Sequence, residues 1–419
     1  MEGVILTMNK GAEEIFGYSK DELIGKKRVS IFSPGEIVLQ NVKNWLNTAV
    51  KEGSFNGTTV FLNKAKEKIN AKIKITPTFK NGKKGLQTGY CGVTEVIEET
   101  VDVKINWSTK LIKWLAITRL PFTSASVFPI LIIGSYFSFF GDGLFSPLIL
   151  FMCVIGVLFA HISLNMFNDY FDVKDGTDDA NNEYFQQLSG GSRSVELGLI
   201  SLFKTKNLAI TFALIAILIA CLIMLMINQY NLIGVLLTSC LGLFLGYYYT
   251  APPLRLVSRS GLGELSIFLA FGPILTLGTA FAIYTGTLSS FIDNHLFNSV
   301  IIGIPLGLLT TNILLINQFP DANSDKLTGK NHLVVTFGKK SSRWLYLSIL
   351  FLVILSSFLI PFNNILINLF PIAIVFFLGG FITNYIFKFY KERKLIIANW
   401  LTIALHAVFA ITLIVLFII

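Results

Sequence analysis

The stretch Asn165–Asp179 reads NMFNDYFDVKDGTDD and follows directly on the apolar run Pro147–Leu164. Seven acidic or amide side chains therefore stand at the end of a segment that is long and apolar enough to cross a membrane. Ionisable residues in or beside membrane segments are energetically expensive, which makes them candidates for a functional site. A second polar stretch, Asn317–Lys330 (NQFPDANSDKLTGK), follows another apolar run. This pair of acidic segments predicts where the activity lies.

The chain divides into a polar part and an apolar part. Only 14% of its 419 residues are charged, whereas a soluble protein of this size has about a quarter. Residues 1–113 are rich in Lys, Glu, Gly and Asn, and residues 114–419 alternate apolar runs with short polar loops. We therefore expect a small domain at residues 1–100, a linker at 101–116 and a polytopic membrane domain at 117–419.

Charge and cysteine content exclude several classes of protein. The net charge of +9 does not indicate a nucleic-acid partner, because Lys and Arg in the apolar part lie mostly in short loops beside apolar runs, where they set orientation. The four cysteines show no pair spacing, which argues against a disulfide framework or a zinc site. Because the first residues lack a basic stretch followed by an apolar one, we expect no signal peptide and a cytoplasmic N-terminal domain.

The N-terminal part mixes helical and strand periodicity. Ile37–Glu52 has the apolar spacing of a helix. Gly3–Met8, Gly57–Leu62, Lys68–Ile75 and Gly89–Ile97 have the pattern of strands. This order of elements predicts a small α+β domain.

The segment Met8–Lys26 (MNKGAEEIFGYSKDELIGK) resembles the PAS domain family, in which such a pattern follows the first strand. Such domains often sense a ligand, redox state or partner, and a structural or dimerising module is an equal expectation. Residues 1–113 contain no His, which argues against a His-ligated haem. The residues that fit the pattern are Asn9, Ala12, Gly17, Tyr18, Glu22, Leu23, Gly25 and Lys26.

Nine apolar segments follow, each near the roughly 20 residues that a membrane helix needs. The loops after the even-numbered segments are basic and those after the odd-numbered ones, up to the seventh, have no Lys or Arg. The positive-inside rule places the basic loops and both acidic segments in the cytoplasm, with the C-terminus outside. The segments lie near Leu120–Phe139, Pro147–Phe167, Leu208–Ile227, Leu232–Tyr249, Gly263–Tyr284, Phe297–Ile316, Trp344–Ile360, Ile365–Ile386 and Ala398–Ile418.

Both acidic segments present oxygen ligands on one helix face. Offsets of four and seven residues put Asn165, Asp169 and Asp172 within about 60° of one another around a helix. Such a set suits Mg²⁺, which is usually held by one or two carboxylates together with substrate phosphates. The second stripe consists of Asn317, Asp321 and Asp325.

Basic side chains near both segments predict a phosphate substrate, since Arg binds phosphate bidentately and Lys acts as a point charge. A diphosphate held by Mg²⁺ and these cations would be a good leaving group. With an allylic tail, its departure gives a carbocation that an electron-rich nucleophile can capture. The candidate diphosphate-binding residues are Asn165, Asn168, Lys174, Arg193, Arg255, Asn317, Lys326 and Lys330.

Other polar residues have simpler interpretations. Tyr249 belongs first to an interfacial aromatic belt, and its π face could also stabilise a carbocation. Glu264 fits the charge of a helix N-terminus. We expect His161 in the core and His332 on a loop surface, and Arg119 is as well explained as an interfacial anchor.

Taken together, the motifs resemble the UbiA superfamily of intramembrane prenyltransferases, above all the 1,4-dihydroxy-2-naphthoate prenyltransferases of menaquinone synthesis. The resemblance spans residues 117–419. It implies nine helices, two Mg²⁺-binding Asp motifs and transfer of a polyprenyl group from its diphosphate to an aromatic acceptor. The motifs are TRLPFTSASVFPILIIGS (Thr118–Ser135), NDYFDVKDGTD (Asn168–Asp178), GGSR (Gly190–Arg193), YTAPPLRL (Tyr249–Leu256), GLGEL (Gly261–Leu265) and NQFPDANSDKLTGKNHLVVTFG (Asn317–Gly338).

The resemblance also assigns roles. Many members of the family have a third Asp where this chain has Gly176, and either Asp175 or Asp178 could take its place. The residues carried over as catalytic are Asp169, Asp172, Asp321 and Asp325, and the metal ligands are the same four with Asp178.

Two rival functions stay open. One is prenyl transfer to another acceptor, such as hydroxybenzoate, a chlorophyllide, haem or a glycerol phosphate lipid. The other is a membrane transporter or receptor linked to the PAS-like domain. Transporters often bind their substrates near the middle of the membrane, whereas these acidic segments end spans beside basic loops, which favours phosphate chemistry.

Overall fold

The computed structural model describes residues 3–82, 85–176, 191–362 and 364–419. These residues are mostly helical, with one three-stranded sheet. The chain divides into two compact units. The N-terminal unit consists of Met1–Ile117 with Arg193–Leu202, and the helical unit consists of Thr118–Ser192 with Phe203–Ile419.

The N-terminal unit contains an antiparallel sheet in the order β1-β2-β3. The strands are β1 (Phe55–Leu62), β2 (Lys68–Phe79) and β3 (Gln87–Val96), which confirms the three predicted strands. The predicted strand at Gly3–Met8 is wrong, because Val4 forms only an isolated bridge with Arg28.

The first helix of this unit begins and ends at residues of the PAS-like motif. Asn9 caps α1, since its Oδ1 accepts a hydrogen bond from Ala12 N at 2.8 Å, and Gly17 ends the helix with a φ of 71°. The predicted helix at Ile37–Glu52 is present, with a π-helical turn at Val38–Val42. The helices are α1 (Lys10–Phe16), α2 (Lys20–Leu23), α3 (Gly35–Ile37), α4 (Lys43–Glu52) and α5 (Trp107–Thr118).

In the described residues of the helical unit there are twelve further helices, and α13 is the longest of these. Short 3₁₀ turns lie between some of them, including Leu120–Thr123 and Leu256–Ser258. The helices are α6 (Ser124–Phe140), α7 (Pro147–Lys174), α8 (Leu202–Met226), α9 (Gln229–Thr250), α10 (Leu262–Phe271), α11 (Pro273–Ile283), α12 (Leu288–Phe291), α13 (Phe297–Leu327), α14 (Leu333–Ser357), α15 (Leu369–Ile374), α16 (Gly380–Phe389) and α17 (Ile396–Ile418).

Eight helical segments of the described chain are long and apolar enough to cross a membrane. They correspond to all the predicted spans except Trp344–Ile360, which falls in α14. Helix α14 carries the basic residues Lys339, Lys340 and Arg343 just after a kink at Gly338, so the apolar part that follows them is short. The ninth span therefore stays a prediction.

Helix α13 forms the centre of the helical unit. About four fifths of the residues in its apolar window are buried, more than in any other span of the described chain (78%). Close packing requires glycine at Gly307, because a Cβ there would lie 3.1 Å from Gly272 Cα on the neighbouring chain segment. The buried position of α13 places the acidic segment at its C-terminal end inside the protein.

Candidate active site

Helix α7 carries the first acidic segment. Ser146 caps its N-terminus and Pro147 occupies the first turn, where a missing N–H is tolerated. The helix then runs without a break to Lys174. Asp169 lies near the end of this helix and is buried, with 5% exposure.

The second acidic segment is the last part of α13. Asp321 and Asp325 are one helical turn apart and both are 7% exposed. After the helix, Gly329 adopts a φ of 76°, and Lys330 N donates to Asp325 O at 2.8 Å. The chain thus turns back so that the Lys330 side chain returns to the end of the helix.

The two segments meet through Lys330 and Asp172. Lys330 Nζ donates to Asp172 Oδ1 at 2.6 Å, and both side chains are largely buried, with 8% and 13% exposure. Removal of one partner from a largely buried ion pair of this kind strongly destabilises the folded protein. The contact joins the end of α7 to the loop that follows α13, as expected from the sequence.

His332 extends this junction and corrects an expectation. We expected it on a loop surface, but it is 1% exposed. Its Nε2 lies 3.0 Å from Asp325 Oδ2, and its Nδ1 accepts a hydrogen bond from Val335 N at 3.3 Å. Since Nδ1 is the acceptor, Nε2 is the nitrogen that donates to the carboxylate. His332 is therefore both the N-cap of α14 and a partner of the second acidic segment.

Asp169 is held by the residues that precede Arg193 in the chain. Its Oδ1 accepts a hydrogen bond from Ser192 N at 3.0 Å. Gly191 has a φ of 73°, and a Cβ there would lie 2.7 Å from the same oxygen. Glycine is therefore required at this position for two reasons, the left-handed backbone and the close approach of the carboxylate.

Helix α9 and the loop after it contribute the third side of the site. Thr250 Oγ1 donates to Asn168 Oδ1 at 2.7 Å. Arg255 forms an ion pair with Asp175, with Nη2 and Oδ2 3.1 Å apart. Asp175, one of the two candidates for the additional carboxylate, is thus paired with a cation.

Tyr249 lies buried at the end of α9, within electrostatic range of both acidic segments. The charged groups that act on its hydroxyl include Glu264, Asp172, Asp325 and Arg119. Arg119 also acts on Asp169. Arg119 therefore contributes to the electrostatic environment of the site. Its interpretation as an interfacial anchor did not predict this contribution.

Glu264 is a further residue that sequence reasoning missed. It is 3% exposed, and its Oε1 accepts hydrogen bonds from Gln318 Nε2 at 3.0 Å and Leu333 N at 2.9 Å. It thereby ties α10 to α13 and to the start of α14. The only signal available in the sequence was its place in GLGEL, which indicated a helix N-terminus.

Several predicted residues have other surroundings. Asn317 Oδ1 accepts a hydrogen bond from Asn399 Nδ2 at 2.7 Å. Lys174 and Lys326 are exposed. Arg193 belongs to the N-terminal unit, where its Nη1 is 2.9 Å from Glu196 Oε2.

The donor set fits Mg²⁺ rather than a softer metal, because it consists of carboxylate oxygens. Asp178, the fifth predicted ligand, lies outside the described residues. Within residues 3–82, 85–176, 191–362 and 364–419, no group of three or more His, Cys, Asp and Glu could hold an ion by itself. Such sparse protein ligation is usual where substrate phosphates complete the coordination of Mg²⁺.

An apolar cavity of about 390 Å³ lies in the helical unit between α7, α8, α9, α10 and α11. Its wall includes Leu164, and also His161, whose Nδ1 is 2.6 Å from Ser126 Oγ. His161 is buried, as expected. It precedes Asp169 by eight residues, so this wall lies about 12 Å along the helix from the first carboxylate. The cavity could accommodate an apolar chain attached to a group bound at the acidic segments.

Comparison with known families assigns both parts of the chain. Residues 126–409 match the UbiA prenyltransferase family. Residues 1–96 match the PAS domain.

Two relatives are similar over much of their length. A chloroplastic 2-carboxy-1,4-naphthoquinone phytyltransferase of Arabidopsis thaliana is 27% identical over 83% of this chain and 85% of its own. A 1,4-dihydroxy-2-naphthoate octaprenyltransferase of Escherichia coli is 29% identical over 55% of this chain and 70% of its own.

A solved structure supports the same fold. An apo UbiA homolog from Aeropyrum pernix K1 superposes with a TM-score of 0.53 and 15% identity, covering 70% of this chain and 97% of that one. A UbiA homolog from Archaeoglobus fulgidus bound to DMAPP and Mg²⁺ gives a TM-score of 0.49 and 16% identity, covering 71% of this chain and 99% of that one. Those ligands are a property of that protein.

Proposed function

The chain belongs to the UbiA prenyltransferase family, and we propose that it transfers a polyprenyl group from its diphosphate to 1,4-dihydroxy-2-naphthoate in menaquinone synthesis. It is a multi-pass membrane prenyltransferase. The observation that carries the proposal is the Lys330–Asp172 ion pair, because it joins the two acidic segments into one site. The acceptor is supported by the relatives, whose names specify naphthoquinone or naphthoate substrates.

The carboxylates at the ends of α7 and α13 would hold Mg²⁺ together with the diphosphate of the donor. Bound Mg²⁺ would neutralise negative charge on the leaving diphosphate. Lys330 and Arg255 are paired with Asp172 and Asp175, which supports a role for both cations at the proposed site. We propose that they interact with the diphosphate oxygens once metal has neutralised the carboxylates. The ligands would be Asp169, Asp172, Asp321 and Asp325, with Asp178 as the fifth.

The apolar cavity would bind the polyprenyl chain. Its wall includes Leu164, five residues before Asp169 on α7, which supports one donor molecule with its diphosphate at the acidic segments and its tail in the cavity. When the carbon–oxygen bond breaks, its electron pair leaves with the diphosphate and the positive charge stays on the allylic carbons. Apolar walls exclude water, which would otherwise capture that carbocation.

The acceptor supplies the electrons of the new carbon–carbon bond. In the net reaction the prenyl group replaces the carboxylate of the acceptor, which leaves as CO₂, and diphosphate is the second product. The buried Tyr249 lies within range of both segments, and we propose that its ring faces the carbocation or the acceptor.

The basic loops support a cytoplasmic site and a cytoplasmic N-terminal domain, by the positive-inside rule. We propose that the PAS-like domain at residues 1–100 regulates the enzyme domain at 117–419. Its ligand or partner would set the activity of the site.

The experiment that tests the function is product analysis with the purified full-length chain in lipid nanodiscs. Polyprenyl diphosphates of several lengths are offered with dihydroxynaphthoate, hydroxybenzoate and a glycerol phosphate lipid, in Mg²⁺ or in EDTA. We expect release of diphosphate and a prenylated dihydroxynaphthalene that has lost the carboxylate, in Mg²⁺ only. A different prenylated acceptor would overturn the naphthoate assignment, and an Asp169→Ala, Asp321→Ala double variant with full activity would overturn the metal site.

A further inference from the structure

The segment Arg193–Leu202, here called the 193–202 segment, lies between α7 and α8 in the sequence but packs within the N-terminal unit. Leu197 and Leu199 are buried, with 7% and 4% exposure. Gly35, at the start of α3, is also buried. A Cβ at Gly35 would collide with the carbonyl oxygen of Leu197 and the side chain of Leu199. The 193–202 segment is therefore packed tightly against the PAS-like domain.

The residue immediately before this segment binds the first catalytic carboxylate. Ser192 N donates to Asp169 Oδ1 at 3.0 Å, and Arg193 is the next residue in the chain. Five peptide bonds separate the donor to Asp169 from Leu197, which packs against Gly35. A short length of backbone thus connects Leu197 to the hydrogen bond at Asp169.

A second connection starts at the same part of the PAS-like domain. Gln40 Oε1 accepts hydrogen bonds from Asn106 N at 2.8 Å and Thr109 Oγ1 at 3.0 Å. Lys113 Nζ pairs with Glu36 Oε1 at 2.6 Å. These contacts fix α5 on the segment that follows Gly35.

Helix α5 leads directly to Arg119. Arg119 is the residue after the end of α5, has a φ of 50°, and acts electrostatically on Asp169. Both of these chain connections therefore end at residues that interact with Asp169, one through a hydrogen bond and one through charge. The remaining connection, at the Leu202–Phe203 peptide, leads into α8.

We infer that the PAS-like domain controls the enzyme by positioning Asp169, through the 193–202 segment and α5. This rests on the proposed function and specifies its regulation: a change at Gly35–Gln40 alters the Ser192–Asp169 hydrogen bond and the position of Arg119, and with them the affinity of the site for metal and diphosphate. Coupling of this kind between two sites typically amounts to about five-fold or more in affinity.

The first test uses Gly35→Ala and Leu199→Ala in the full-length chain. Gly35→Ala inserts a methyl group where there is no room, and Leu199→Ala removes the packing. The control is Gly92→Ala in β3 of the same domain, where a Cβ would have nothing within 4 Å. The readout is hydrogen exchange at the Ser192 amide, which needs neither metal nor substrate.

We expect exchange at Ser192 to become about five-fold faster or more in both variants, and to stay unchanged in Gly92→Ala. The Mg²⁺ concentration for half-maximal activity should rise by a similar factor in both variants. Unchanged exchange at Ser192 in both variants overturns the inference, as does the same acceleration in Gly92→Ala. If the wild-type chain made no prenylated product, the proposed function would fail while the exchange experiment would still decide the coupling.

Discussion

Lys330 Nζ lies 2.6 Å from Asp172 Oδ1, although 158 residues separate them in the chain. The Lys330 ammonium group is therefore paired with a carboxylate that the proposed function assigns to Mg²⁺ binding. This ion pair connects the two acidic segments, and under the proposed function it would keep the cation close to the diphosphate. Removal of the cation should therefore affect both stability and catalysis.

Lys330→Met should lower kcat/KM for prenyl transfer by about 10²-fold, the usual cost of removing one donor to a developing anion. It should also lower the unfolding temperature, because Asp172 loses its partner in a largely buried position. Activity assays and thermal unfolding with and without Mg²⁺ check this, and Mg²⁺ should restore part of the lost stability. Lys326→Met is the control, since Lys326 is exposed on the same helix end. Equal activities for the two variants would contradict the role of Lys330.

Two substitutions of His332 should separate its role as the cap of α14 from its role as a partner of Asp325. His332→Ala removes both the cap of α14 and the hydrogen bond to Asp325, and should cost about 1 kcal/mol of stability for the cap alone. His332→Asn keeps a capping side chain but is too short to serve Asp325 as the imidazole does. We expect near wild-type stability with activity reduced about tenfold. Thermal unfolding and initial rates measure the two effects, and an unaltered rate in both variants would limit His332 to capping.

Gly191→Ala should impair the site by more than its backbone strain alone would. The left-handed φ alone costs about 1–2 kcal/mol for a residue with a Cβ, and the added methyl group would also press on Asp169. Gly53→Ala is the matched control, because Gly53 has a φ of 84° and a Cβ there would have nothing within 4 Å.

Both glycine variants should be destabilised, as thermal unfolding would measure. Only Gly191→Ala should lose activity, by about tenfold or more, in rate assays run well below the unfolding temperature of either variant. Comparable activities of the two variants would show that Asp169 tolerates the added methyl group.

Gly242→Leu should narrow the apolar cavity. Gly242 lines the cavity, and a Cβ there would have only Ile274 within reach, at 4.0 Å, so a larger side chain projects into free space. We expect KM for long polyprenyl diphosphates to rise by about 10-fold, with a smaller effect on short donors. Gly380→Leu on α16 is the control, since Gly380 is exposed and does not line the cavity. If donor preference were the same in both variants, the tail would bind elsewhere.

Part of the site could be predicted because it follows from local geometry. The spacing of Asp169 and Asp172 on one helix face is fixed by the helical repeat. The two acidic segments could be expected to meet because each follows an even-numbered apolar span, which puts both on the same side of the membrane. The Lys330–Asp172 ion pair agrees with that expectation.

The missed residues depend on contacts between distant segments. His332 is polar and follows a loop, and nothing nearby in the sequence shows that it is buried against Asp325. Glu264 bonds Gln318 and Leu333, which are 54 and 69 residues away. Likewise, no local pattern shows that the 193–202 segment packs in the N-terminal unit.

The hydrogen bond from Asn399 to Asn317 has a consequence for how the protein is made. Asn399 belongs to α17, and its Nδ2 donates to both Asn317 Oδ1 and Ile316 O. During translation, α13 is synthesised before α17. The first residue of the second acidic segment therefore acquires this partner only after α17 has been made.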